Sequence, residues 1–159
     1  MKKPNKSVVA TAGNVLCSLR SGRAISAVPH FKRSAEMKAR VNCAKCNNPL
    51  TEWLYSVPGD FVATWADYEN IIPKGMYWIA DDEMTGLAGR VVIHLDDRRR
   101  MINHPDPSRF QGCCGSSDAR INLLCSCGEE VAHEVSDCWT SYYAHFVPEK
   151  TVLEYQSES

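Results

Sequence analysis

Short stretches rich in β-branched and aromatic residues, several with alternating apolar and polar positions, recur from residue 53 onward. In residues 129–135, for example, Val131 and Val135 alternate with Glu130 and Glu134. A period of two is typical of a strand with one buried face. The pattern predicts strands over residues 53–57, 61–65, 76–80, 90–95, 122–125, 129–135, 140–147 and 152–155.

Turn residues separate these stretches. Pro58-Gly59-Asp60 and Pro73-Lys74-Gly75 both combine the fixed φ of proline with the conformational freedom of glycine. Strands joined by such turns pair most readily with their neighbours in the chain. We therefore predict a mainly β, β-rich α+β fold, built as a small antiparallel sheet.

The first forty residues lack this pattern. No element stands out before Pro29, and residues 31–41 contain enough good helix formers to predict one short basic helix. We assign residues 1–40 to a poorly ordered arm, residues 41–155 to the folded domain and residues 156–159 to a tail.

Composition agrees with one folded domain. The chain has 159 residues, of which 44% are apolar and 23% charged, as in ordinary globular proteins. No window approaches the roughly 18 apolar residues that a membrane-spanning helix needs, so we predict no transmembrane segment.

Charge divides the chain into two parts. Residues 1–42 hold nine basic side chains and one acid, whereas residues 43–159 hold nine bases and eighteen acids. The basic arm could bind nucleic acid or an anionic surface, but its charges are scattered along the chain. The competing interpretations are a solvated leader and a targeting segment. The apolar stretch is weak for a secretory signal, so we expect a cytoplasmic protein.

Eight cysteines carry the strongest chemical signal. Cys43 and Cys46 form a CxxC pair, and Cys125 and Cys127 form a CxC pair that Gly128 follows. Such spacing lets two thiolates converge on one ion, and Zn²⁺ takes four sulfur or nitrogen ligands in structural sites. We predict one structural zinc ion bound by Cys43, Cys46, Cys125 and Cys127.

The distance between the two pairs is long for a simple zinc ribbon, since 78 residues separate Cys46 from Cys125. A ribbon with a large insertion fits this spacing. A small β domain whose base is tied by the metal fits it equally well.

The remaining cysteines of the domain leave several interpretations open. Cys113, Cys114, Cys138 and His133 could supply a second ion or replace a ligand of the first. Cys138 could instead be a buried apolar residue beside Trp139. An exposed Cys113 or Cys114 could also act as a nucleophile, with His104 or His133 as its base.

Four motifs together suggest a family. The chain resembles small, uncharacterised bacterial cysteine-rich proteins that share a CxxC, GCCG, CxCG and DCW pattern, and the resemblance covers residues 41–148. It implies metal binding and a bacterial, cytoplasmic setting, and it carries no catalytic residue over. A looser similarity to zinc ribbons covers only the two cysteine pairs.

Motifs for the commonest catalytic sites are missing from the sequence. It contains no HExxH, no deaminase zinc motif and no phosphate-binding P-loop. We therefore expect a non-enzymatic, zinc-stabilised binding protein that recognises another protein, as an immunity protein or a regulatory adaptor does. The alternatives are nucleic-acid binding through the basic arm and a thiol- or metal-dependent enzyme using Cys113 or Cys114.

Overall fold

Nine short strands form one curled, mixed sheet in the computed structural model, which describes residues 37–156 except 82, 84, 118 and 119. The mainly β fold predicted from the sequence is therefore confirmed. In chain order the strands are β1 (Lys38–Cys43), β2 (Leu54–Ser56), β3 (Met76–Ile79), β4 (Val91–Ile93), β5 (Met101–Asn103), β6 (Leu123–Cys125), β7 (Glu130–Val135), β8 (Tyr143–Phe146) and β9 (Thr151–Tyr155).

The strand order across the sheet is β5-β6-β7-β8-β4-β3-β2-β1-β9. Within the described residues, the helical segments are three single-turn 3₁₀ helices, at Leu95–Asp97, Pro107–Arg109 and Pro148–Lys150. In that same part of the chain no helix is long and apolar enough to cross a membrane.

One neighbouring pair corrects the predicted antiparallel sheet. Strands β2 and β3 run parallel, with Tyr55 opposite Met76, while the other seven pairs are antiparallel. The strand predicted over residues 61–65 is absent, so the chain returns to β3 without a hairpin. Phe61 and Trp65 instead place their rings against Trp78 and Tyr143 of the sheet.

The two ends of the chain differ from the prediction in detail. Residues 38–40, which we assigned to the arm, are the first residues of β1. Residues 38–41, the last four of the helix predicted over 31–41, are therefore a strand and not a helix. This backbone pairs with β9 from Ala39 opposite Tyr155 to Cys43 opposite Thr151, and tertiary pairing overrides the local helix preference. The rest of the predicted arm, residues 1–36, and tail residues 157–159 lie outside the described residues.

Because the sheet curls, strands that are distant in the strand order contribute to one buried core. Strands β1 and β6 are far apart in the strand order, yet Val41 and Cys43 of β1 lie in the same buried cluster as Leu123 and Cys125 of β6. Phe146 of β8 is fully buried among them. Burying the valine, leucine and phenylalanine side chains of this cluster stabilises the fold by roughly 1.5–3 kcal/mol each. The curl also places the last residues of β1 and β6 next to each other.

Candidate functional site

Four cysteine sulfur atoms meet where β1 and β6 end. The Sγ atoms of Cys43 and Cys127 are 3.8 Å apart, and those of Cys46 and Cys125 are 3.5 Å apart. All four sulfurs lie within 4.8 Å of one another, and all four cysteines are free of disulfides. The structure thus brings together the four residues predicted as zinc ligands, and the cluster could hold a metal ion.

Each cysteine pair lies on a tight backbone turn. In the first, the N–H of Cys43 donates to the carbonyl of Asn48 at 2.9 Å, and Asn47 has a φ of 59°. In the second, the N–H of Cys125 donates to the carbonyl of Glu129 at 2.8 Å, and Gly128 has a φ of 84°. A left-handed residue directly after the second cysteine therefore closes each turn, a conformation that glycine and asparagine adopt most easily.

Backbone N–H groups also reach the sulfur atoms. Burial raises the pKa of the Cys43 thiol, although the N–H groups of Cys46 and Lys45 donate to its sulfur and act in the opposite direction. The N–H of Glu129 donates to Cys127 and, together with the neighbouring thiols, lowers the pKa of Cys127 to about 7.

Cys46 shows the opposite balance. The N–H of Asn48 lowers its pKa, but desolvation and the three neighbouring sulfur atoms outweigh that donor and raise the pKa of Cys46 to about 12. Thiolates this close repel one another, so the cluster holds one negative charge easily and further charges poorly. A bound divalent cation removes this penalty and lets all four thiols ionise.

Polar contacts clamp the two turns together around the cluster. Glu129, next to the second turn, forms ion pairs with Lys45 of the first turn at 3.2 Å and with Lys150. Asn48 donates through Nδ2 to the Oγ of Ser126 at 3.2 Å. The two turns are therefore held in register by contacts that do not involve the sulfurs.

A second cluster contains the other cysteines of the domain. One ligand atom from each of Cys113, Cys114, Asp137 and Cys138 lies within 4.8 Å of the others, so this group could also hold a metal ion. In the structure Cys113 and Cys138 form a disulfide with a Cα separation of 6.9 Å, at the upper limit for such bonds. Cys114 is free and exposed, with its sulfur 3.4 Å from that of Cys113.

The GCCG and DCW motifs build this second cluster as one unit. A Cβ atom on Gly112 would lie 2.7 Å from Cγ of Asp137, and one on Gly115 would lie 2.3 Å from the carbonyl oxygen of Ser136. The Asp137 carboxylate accepts the N–H of Cys114 at 2.9 Å, and this bond, with weaker N–H donors nearby, lowers its pKa. Glycine is thus required at positions 112 and 115, because the backbone of the GCCG loop lies too close to Ser136 and Asp137 for a side chain.

Asp137 is the residue of this cluster that the sequence analysis missed. Its position inside the DCW motif was the available signal, because the motif was read for its cysteine alone. With a side chain 4% exposed and aimed at the GCCG backbone, Asp137 shapes the loop as well as offering a ligand oxygen.

The histidines proposed for the second cluster lie elsewhere. His133 on β7 is buried and lies opposite His145 on β8, with its Nδ1 3.0 Å from the Nε2 of His145. His104 pairs with Glu130 at 3.3 Å and accepts the N–H of Asp106. Neither histidine belongs to the group formed by the three cysteines and Asp137.

Comparison with known proteins gives no family for this chain. No family model, no curated protein and no solved structure matches it.

Proposed function

We propose that the protein is a non-enzymatic binding protein stabilised by a structural zinc ion at Cys43, Cys46, Cys125 and Cys127. The observation that supports this proposal most strongly is the convergence of four free sulfur atoms within 4.8 Å. The resemblance to bacterial proteins with a CxxC, GCCG, CxCG and DCW pattern also favours metal binding.

The donor set favours zinc in a structural role. Four thiolates complete a tetrahedral shell and leave no open position for water or substrate, as in structural zinc sites. The ion joins two segments that are 84 residues apart at Cys43 and Cys127, so its binding free energy adds directly to folding. A reducing, cytoplasmic setting suits the four free thiols of this cluster, whereas the Cys113–Cys138 disulfide is more typical of an oxidising one.

Support for a protein partner comes from one edge of the sheet. Strand β9 is an edge strand, and exposed Met37, Ile79 and Tyr155 line a shallow groove beside it. Exposed edges and apolar grooves are common sites for protein contacts. The acidic excess in residues 43–159 favours a basic partner. An immunity protein or a regulatory adaptor would use such a surface.

A thiol-dependent function is the second candidate. The observation that favours it is the exposed Cys114, whose sulfur lies 3.4 Å from one end of the Cys113–Cys138 disulfide. Nucleic-acid binding, the other alternative, rests only on the charge split, because residues 1–36 lie outside the described residues.

Native mass spectrometry of the full chain, purified without added metal, tests the proposed zinc site. We expect at least one bound zinc ion, lost in Cys127→Ser and retained in Cys114→Ser. Both variants replace an exposed cysteine by serine, so they are matched controls. Purified protein without zinc, or Cys127→Ser with its full zinc content, would overturn the proposal.

A further inference from the structure

A cavity of about 550 Å³ opens on the face of β7 and β8. Its size lies in the range of small-molecule sites, which combine apolar walls with a few polar groups. Its lining includes Trp65, Asp67, Arg90, Trp139, Tyr143 and His145. Neither cysteine cluster contributes a sulfur to this lining, so the pocket needs its own explanation.

Aromatic rings form the walls of the pocket. Trp65 packs edge-on against Tyr143, with ring centroids 5.8 Å apart. The side chain of Trp139 is 76% exposed and that of Trp65 is 47% exposed. Two tryptophans left this exposed around a concave site favour a ligand with a flat ring, because stacking would remove their apolar faces from water.

Arg90 supplies a fixed positive charge in the same pocket. Its guanidinium lies 3.4 Å from Nδ1 of His145, and since arginine can only donate, that nitrogen accepts. Nε2 of His145 therefore carries the proton and donates to Nδ1 of His133 at 3.0 Å. This hydrogen-bond chain orients the guanidinium and uses one of its five N–H groups.

The charges around Arg90 select the kind of anion. Among the described residues no carboxylate forms an ion pair with Arg90. His145 is neutral, because burial and then the charges of its neighbours lower its pKa to about 3. The exposed Asp67, also in the lining, opposes a dianion such as phosphate. One fixed cation and one acid in the same lining favour a monoanion over a dianion.

We propose that this pocket binds a small aromatic monocarboxylate, with its carboxylate on Arg90 and its ring against Trp65, Trp139 and Tyr143. A carboxylate matches the forked N–H geometry of a guanidinium. This inference goes beyond the proposed function and requires neither the zinc ion nor the protein partner.

Isothermal titration calorimetry of the full chain with indole-3-carboxylate tests the inference. Two matched probes separate its parts: indole-3-carboxamide keeps the ring without the charge, and cyclohexanecarboxylate keeps the charge without the ring. We expect the aromatic acid to bind at least tenfold more tightly than either probe. Absence of saturable binding by the aromatic acid at millimolar concentration would overturn the proposal, as would equal binding of all three compounds.

Variants assign the two halves of the site. Arg90→Gln should reduce acid binding to the level of the carboxamide, whereas Arg99→Gln, an exposed arginine paired with Glu52, should have no effect. Trp139→Ala should weaken the acid and the carboxamide by the same factor, and its high exposure makes a folding defect unimportant. Unchanged affinity in both Arg90→Gln and Trp139→Ala would place the ligand elsewhere and refute the assignment.

Discussion

The two cysteine clusters of this protein are built in opposite ways. Cys43 and Cys127 belong to segments 84 residues apart in sequence, and their sulfur atoms meet without a covalent bond. Cys113 and Cys138 are 25 residues apart, are linked by a disulfide and lie on two loops that interlock through backbone contacts. The first cluster lies between distant strands of the curled sheet, and the second lies between two neighbouring loops.

The two clusters also differ in the contacts that fix their backbone conformation. In the GCCG loop, Asp137 and the close approach of Gly115 to Ser136 fix the backbone without any ion. In the other cluster, backbone hydrogen bonds shape each turn separately, and only a few polar contacts such as Lys45 with Glu129 link the two. We therefore expect metal to matter for the fold at one cluster and much less at the other.

The largest expected effect comes from breaking the first cluster. Cys43→Ser, at a fully buried position, should abolish cooperative unfolding or reduce the free energy of unfolding by more than about 4 kcal/mol, because the proposed metal binding and the packing of Cys43 would both be lost. Cys114→Ser should change it by less than about 0.5 kcal/mol, as exposed substitutions usually do. Urea denaturation followed by circular dichroism measures both, and similar losses in the two variants would contradict the comparison.

Replacing a glycine of either cluster by alanine should cause an intermediate loss of stability, for a different reason in each cluster. Gly115→Ala should destabilise by about 1–3 kcal/mol, since a Cβ there meets the Ser136 carbonyl oxygen at 2.3 Å. In Gly128→Ala the added Cβ has no atom within 4 Å, but the alanine must adopt a φ of 84°, and this left-handed conformation should destabilise the fold by about 1–2 kcal/mol.

Thermal melts of these two glycine variants should also differ in their response to zinc. Added zinc should restore part of the stability of Gly128→Ala, whose turn holds Cys127, and none of that of Gly115→Ala. Equal rescue of the two variants would show that both loops depend on the metal.

The smallest expected effect is a pH dependence that arises at His145, which lines the pocket on β7 and β8 and belongs to neither cysteine cluster. The pKa of His145 falls from 6.5 to about 3 on folding, so the neutral side chain stabilises the protein above pH 6.5 and this stability is lost as pH falls toward 3. Between pH 7 and 5.5 the wild type should lose about 1 kcal/mol more than His145→Gln does. Urea midpoints of both proteins at the two pH values measure this, and parallel losses would exclude His145 as the cause.

Local patterns predicted much of this fold. Most strands followed from β-branched and aromatic stretches, as for Val91–Ile93 and Glu130–Val135. Strand β1 was missed as a whole, because nearby helix formers were given more weight than the alternation of Ala39, Val41 and Cys43 with polar residues, and its partner Thr151–Tyr155 is distant in sequence. Strand β5 has no distinctive pattern in its three residues and is held by Leu123–Cys125. The parallel pairing of β2 with β3 depends on residues 61–65 being a loop. The alternation of apolar and polar residues there predicted a strand instead.

The part of the candidate site that depends on cysteine spacing was predictable from the sequence. The CxxC and CxC pairs named four residues whose sulfurs the structure does bring together. His133 was placed with Cys138 because the two are close in sequence, but on β7 its side chain faces His145 across the sheet. The pocket around Arg90 depends on long-range packing, for which the sequence holds no local signal, whereas Asp137 had a signal in the DCW motif.

The pairing of β1 with β9 has a consequence for synthesis of the chain. Asn42 and Glu154 are hydrogen-bonded across this pair although they are 112 positions apart in the sequence. A ribosome therefore exposes β1 and its neighbour β2 long before β9 exists, and Val41 and Cys43 lack their β9 partners until the last part of the domain is made. Such non-local pairing folds slowly and leaves apolar segments open to aggregation, so nascent chains of this protein should depend on chaperones until translation ends.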